Sequence, residues 1–215
     1  MSNIGILAII TAFISFIITP LVKKLAIRVN AIDIPKDERR VHNKPIPLLG
    51  GLAIYIAFVL GTILYSDILT TSQTGIIIGG TVIVIGGIID DIKDLSPKYK
   101  VLIQVIAAVC LIMAGVRITI ITNPFNQVYP YIDMGWINIP VTIIWIVGVT
   151  NAFNLIDGLD GLAAGIAFIS CVTLMIISIL NGRLEAVYLT AVLSGAILGF
   201  LPYNFNPAAD RKSVV

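Results

Sequence analysis

Seven apolar runs follow one another along this chain, and their length decides what it can fold into. They lie at Ile4–Val22, Leu48–Tyr65, Thr71–Ile89, Tyr99–Val116, Ile137–Thr150, Leu162–Leu180 and Ala186–Tyr203. A helix needs roughly 20 apolar residues to cross the hydrocarbon core of a bilayer, with about 17–25 tolerated. Inside lipid every backbone amide must be paired within the protein, and unbroken apolar runs lack the alternation of a membrane barrel. The runs predict an all-α fold: a polytopic transmembrane helical bundle of about seven spans, forming a single membrane domain over residues 1–215. Composition agrees, with 58% hydrophobic and only 12% charged residues, about half the charged fraction of a soluble domain. Membrane lipid is the solvent such a surface requires, and no nucleic-acid partner is expected.

The few charges are unevenly placed. Lys23, Lys24, Arg28, Lys36, Arg39, Arg40 and Lys44 follow the first run, Lys93, Lys98 and Lys100 the third, and Arg211 and Lys212 the last. The opposite loops carry only Arg117 and Arg183. Basic residues concentrate on the cytoplasmic side of membrane proteins, so the N-terminus is expected outside a plasma membrane and the basic loops inside the cell. No basic stretch precedes the first run and no small-residue cleavage site follows it, so it reads as a span rather than a removable signal. Cys110 and Cys171 each lie within an apolar run without metal-type spacing, and read as buried or lipid-facing small residues.

Two acidic clusters fall on the basic side. The first is Asp90-Asp91-Ile92-Lys93-Asp94 at the end of the third run. An aspartate at a bilayer centre costs about 2.5–3.5 kcal/mol on insertion scales, so these carboxylates must meet water, a cation or a basic partner. In a helix, Asp90 and Asp94, and Asp91 and Asp94, would share a face and repel. A divalent cation would relieve that repulsion, and magnesium suits one or two carboxylates combined with phosphate oxygens. Lys98 and Lys100 could neutralise the cluster instead, and a solvated helix end is the plainest reading.

The second constellation is more specific. In Asn151-Ala152-Phe153-Asn154-Leu155-Ile156-Asp157-Gly158-Leu159-Asp160-Gly161, amide or carboxylate side chains recur every third residue from Asn151 to Asp160. Helix capping explains one or two of them, but not four in register between apolar spans. Gly158 and Gly161 would let a ligand or another backbone approach closely. The first basic loop adds His42, the only histidine, and Lys44-Pro45-Ile46-Pro47-Leu48-Leu49-Gly50-Gly51 before the second span.

Taken together, PIPLLGG, GGIIDDIKDL and NAFNLIDGLDGLAAG resemble the polyprenyl-phosphate N-acetylhexosamine-1-phosphate transferases, in the same order and over essentially the whole chain. The last motif is most similar to the branch that uses undecaprenyl phosphate and N-acetylglucosamine 1-phosphate and starts teichoic acid or surface polysaccharide synthesis. The alternative branch, phospho-N-acetylmuramoyl-pentapeptide transferase of peptidoglycan synthesis, usually has TPTMGG where this chain has Ile46-Pro47-Leu48-Leu49-Gly50-Gly51.

The resemblance implies a magnesium-dependent reaction, with manganese as a substitute, between undecaprenyl phosphate and a UDP-N-acetylhexosamine, and it admits a homodimer. It implies catalytic roles for Asp90, Asp91 and Asp157, with Asp90 orienting or deprotonating the lipid phosphate. Asp91 and Asp157 would hold the metal, and Lys44, Asp94, Asn154 and Asp160 would bind substrate. Family members continue past a segment like Asn204-Phe205-Asn206-Pro207-Ala208 into a glycine-aspartate motif and a histidine-containing loop. The final residues here do not match that continuation. The chain is therefore expected to be the amino-terminal portion of a larger transferase fold, inactive on its own.

A non-enzymatic transporter is the competing class. It would place carboxylates near the bilayer midplane, often in paired repeats, whereas these gather at one interface. A CDP-alcohol phosphatidyltransferase would need an Ala-Arg after Asp157-Gly158 or Asp160-Gly161, which is absent.

Overall fold

A computed structural model describes residues 2–33, 46–66, 68–125, 130–157 and 160–205. Within them, seven α-helices follow the seven apolar runs. These are α1 (Ser2–Arg28), α2 (Gly50–Tyr65), α3 (Thr71–Lys93), α4 (Pro97–Met113), α5 (Asn138–Ile156), α6 (Leu162–Leu180) and α7 (Leu184–Asn204). The expected helical membrane architecture is present: α1, α3, α5, α6 and α7 are long and apolar enough to cross a bilayer. At 16 and 17 residues, α2 and α4 are shorter. Two small antiparallel pairs complete the described elements. β1 (Ile32–Asp33) pairs with β2 (Ile46–Pro47), and β3 (Ile120–Thr122) pairs with β4 (Tyr131–Asp133).

Local chemistry sets several helix ends beyond the apolar runs. α1 continues past Val22 to Arg28, which places Arg28 in the last turn, where the helix dipole favours a cation. α3 opens on a capping box. The Thr70 N–H donates to Gln73 Oε1 at 3.0 Å, and the Gln73 N–H donates to Thr70 Oγ1 at 3.1 Å, the reciprocal pairing of a capping box. α4 opens on extended Ser96 followed by Pro97, whose missing N–H is harmless at the first helical position. α5 runs past Thr150 to Ile156, which puts Asn151 and Asn154 inside the helix.

The described residues within 1–68, 91–94 and 156–215 form one compact unit, and those within 69–90 and 95–155 form another. In the first, α7 is the central helix, with Val187, Ala191, Ser194, Gly195, Ala196 and Gly199 among its buried residues. Gly195 and Gly199 lie so close to α1 that a Cβ on either would collide with the carbonyls of Ala8 and Ala12 respectively. Small residues four apart allow such backbone approach, which drives helix association where lipid removes the hydrophobic advantage. Cys171 packs with Ile197 and Leu201 between α6 and α7, as its place in an apolar run suggested. Thr11 and Thr62 return their hydroxyls to the carbonyls of Leu7 and Phe58 at 2.8 Å, so neither of these two hydroxyls is stranded in an apolar setting.

In the second unit, glycines again form a seam. Gly75 meets Ala114, Gly79 meets Leu111 and the Ala107 carbonyl, and Gly86 meets Ile103, drawing α3 onto α4. α5 is tied to α4 by a side-chain hydrogen bond between Asn151 and Gln104.

Candidate functional site

The second unit has an open cavity of about 150 Å³ between α3, α4 and α5, lined by Ile83, Gly86, Gly87 and Asp90, by Lys100, Ile103 and Gln104, and by Thr150 and Asn154. The spacing explains the lining. Ile83 and Gly87, Gly86 and Asp90, Lys100 and Gln104, and Thr150 and Asn154 are each four residues apart, so each pair occupies one helix face. Gly87 keeps the space open, since a Cβ there would meet nothing within 4 Å.

Asp90 is the acidic group of this cavity. Lys100 Nζ lies 2.9 Å from Asp90 Oδ1, and the Leu95 N–H donates to the same oxygen at 3.0 Å. Of the two lysines that could neutralise the first cluster, the structure thus pairs Lys100 with Asp90. Both contacts fall on Oδ1. Both side chains are more than a quarter exposed, so the pair adds little stability.

Asp90 and Asn154 are the two residues singled out by the sequence that the described cavity lining contains. Asp91 lies one residue further along α3. Asp94 departs from the helical expectation: α3 ends at Lys93 and Asp94 adopts φ +51°. Its carboxylate therefore does not continue the helical face of Asp90 and Asp91. Aspartate tolerates this left-handed conformation because its short polar side chain can bond locally, so Asp94 sits where α3 ends. The every-third-residue pattern is likewise broken, because α5 stops at Ile156 and Asp157 and Asp160 lie in turns. Lys44, His42 and Gly158 lie outside the described residues.

Gly161 serves a packing role that its motif did not reveal. It caps α6 at φ +74°, donates its N–H to Asn204 Oδ1 at 3.1 Å, and a Cβ there would strike the Phe205 ring. The close approach is therefore made by the end of α7.

Desolvation by the surrounding chain raises the Asp157 carboxyl above its ordinary value. Its charged form is penalised in the fold, so that penalty is absent below the unfolded pKa of about 3.9 and develops as pH rises through the raised value. Asp157→Asn is expected to leave thermal stability unchanged in acid and to increase it near neutrality. An equal shift of the melting temperature at every pH would contradict this origin.

Among the described residues, no group of three or more His, Cys, Asp or Glu side chains could hold a metal ion alone. Magnesium needs no such cage, since it commonly takes one or two carboxylates with waters and substrate phosphate oxygens. Asp91 and Asp157 offer oxygen donors only, a set that fits a hard cation of this kind.

Gln104 was the less legible member of the site. Gln104 is a lone amide in the otherwise apolar stretch of α4 that follows Lys100.

The model of glycosyl transferase family 4 matches residues 73–209. A probable undecaprenyl-phosphate N-acetylglucosaminyl 1-phosphate transferase of Bacillus subtilis is 40% identical over 208 residues, covering 97% of this chain and 57% of that protein. A decaprenyl-phosphate N-acetylglucosaminephosphotransferase of Mycolicibacterium smegmatis is 32% identical over 96% of this chain and 54% of its own length. A phospho-N-acetylmuramoyl-pentapeptide-transferase of Halalkalibacterium halodurans is 30% identical over 93% and 65% respectively. The chain thus spans between about half and two-thirds of the length of these relatives.

Proposed function

We propose, from the premise that this chain belongs to glycosyl transferase family 4, that it serves the transfer of N-acetylglucosamine 1-phosphate from UDP-N-acetylglucosamine to undecaprenyl phosphate. The observation that carries this reading is the cavity that places Asp90, Lys100, Gln104 and Asn154 together on three helices. The 40% identity to the Bacillus subtilis protein supports the choice of sugar and lipid. A role in starting teichoic acid or surface polysaccharide synthesis is part of the same proposal.

In the proposed reaction an oxygen of the lipid phosphate attacks the β-phosphorus of the nucleotide sugar. A new P–O–P bond forms, the bond between the β- and α-phosphates breaks, and UMP leaves. Such chemistry rests on positioning and charge neutralisation. Asp90 orients the attacking lipid phosphate or takes its proton, while Lys100 holds the Asp90 carboxylate and presents positive charge to the phosphates. Asn154 contributes an amide to the same cavity. Asp91 and Asp157 are the residues that would hold magnesium, which when bound neutralises phosphate charge. The one-sided distribution of lysine and arginine supports a cytoplasmic active face in the plasma membrane.

The test uses labelled UDP-N-acetylglucosamine and undecaprenyl phosphate with the purified chain, and with a chimera that supplies from the Bacillus subtilis relative the part this chain does not span. Polyprenyl-diphosphate N-acetylglucosamine and UMP in equal amounts are expected from the chimera. A folded chimera that binds neither substrate, or that releases sugar to water alone, would overturn the proposal.

Blocking the cavity gives a further expected result. Gly87→Leu projects a side chain into open space, so it is expected to abolish substrate binding while changing the melting temperature by little. Undiminished binding by a folded Gly87→Leu protein would place the substrate elsewhere.

A further inference from the structure

Gln104 is 8% exposed on an apolar helix, yet it lines the cavity. Which end of its amide faces a ligand follows from its neighbour. Asn151 Nδ2 lies 2.8 Å from the Val147 carbonyl oxygen, and a carbonyl can only accept, so this atom must be the nitrogen. The same Nδ2 lies 2.7 Å from Gln104, and the atom that meets it must therefore be the oxygen, Oε1. With Oε1 engaged, the Gln104 NH2 is the group left for the cavity. That NH2 belongs to the cavity lining, and as a donor its natural complement is an oxygen-bearing ligand. Lys100 stands one helical turn away on the same face of α4, so the helix presents a cation and a neutral donor in a row.

We propose that Gln104 is a binding residue that donates through its NH2 to a substrate phosphate oxygen, and that Asn151 is a positioning residue that fixes the Gln104 amide in the donating orientation. This rests on the proposed function and adds to it Gln104, a residue outside the acidic clusters, and a positioning role for Asn151. The chain of orientation runs from the α5 backbone at Val147 through Asn151 to Gln104, so the donor is aimed before substrate arrives.

The test measures binding to the full 215-residue chain in lipid nanodiscs, with undecaprenyl phosphate against undecaprenol and UDP-N-acetylglucosamine against uridine as paired probes. Gln104→Glu keeps the size and the acceptor for Asn151 but removes the donor, and is expected to weaken a phosphate-bearing probe about 10- to 100-fold, the usual span for a hydrogen bond to a charged group. Its phosphate-free counterpart should be unaffected, and the pair that diverges identifies whether the lipid or the nucleotide supplies the oxygen. Asn151→Asp offers Gln104 an acceptor, turns its NH2 away from the cavity, and should weaken the same probe. In a Gln104→Leu background Asn151→Asp should have no further effect on affinity, whereas a purely structural role would persist there. If the wild-type chain binds and Gln104→Glu binds equally well, this inference fails while the proposed function stands. If the wild-type chain binds neither phosphate-bearing probe, both fail together.

Discussion

Asp90→Asn is expected to lower sugar-phosphate transfer by about 10²–10⁴-fold, the range for loss of a positioned acid–base group. The substitution keeps the side chain's size and leaves an oxygen able to accept from Leu95. It removes the negative charge that Lys100 meets at 2.9 Å and replaces one carboxylate oxygen with a nitrogen that cannot accept. Stability should change by less than about 1 kcal/mol, because partly exposed ion pairs contribute little. Activity and stability should thus separate sharply in the chimera that supplies the rest of the relative. Single-turnover transfer and thermal unfolding measured on the same preparation check this, and transfer within a factor of a few of wild type would remove Asp90 from the reaction.

The second large effect is on folding. Gly199→Leu should destabilise the first unit by at least about 1–3 kcal/mol, the cost of overpacking a tight contact, because its Cβ would meet the Ala12 carbonyl and come within 2.9 Å of Ser15 Cβ. Backbone cannot rotate aside as a side chain can, so α1 and α7 would have to separate. Ser15 is fully buried at this crossing and its Oγ has no hydrogen-bond partner among the described residues, which fits a position occupied for its small size. Gly165→Ala is the matching control, since its Cβ would meet nothing within 4 Å and alanine favours the helix. Unfolding in mixed detergent micelles should separate the two variants widely. Equal midpoints would show that the glycine seam does not hold these helices together.

The helical membrane fold was legible because its signal is local. A run of apolar residues is visible one segment at a time, and all seven runs became helices. Their ends were less legible where polar residues extend a helix, as Lys93 does for α3 and Asn151 and Asn154 do for α5. Asp94 shows the limit of spacing arguments. Four-residue separation from Asp90 implies a shared face only while the helix lasts, and the chain turns at Lys93. Gly161 shows another, since its motif suggested ligand approach and its neighbour is Phe205.

What the sequence by itself determined was the class of solvent, the number of helices, the clustering of aspartates beside basic loops and, through its motifs, the family. Those properties depend on composition and on neighbours a few residues apart. Only the tertiary structure decided that Lys100 pairs with Asp90, that Asn151 holds Gln104 across 47 residues of chain, and that Gly161 is tied to Asn204 across 43. These contacts depend on which helix faces meet, and that is set by where glycines let backbones close together. No periodicity within a single helix encodes the identity of its partner.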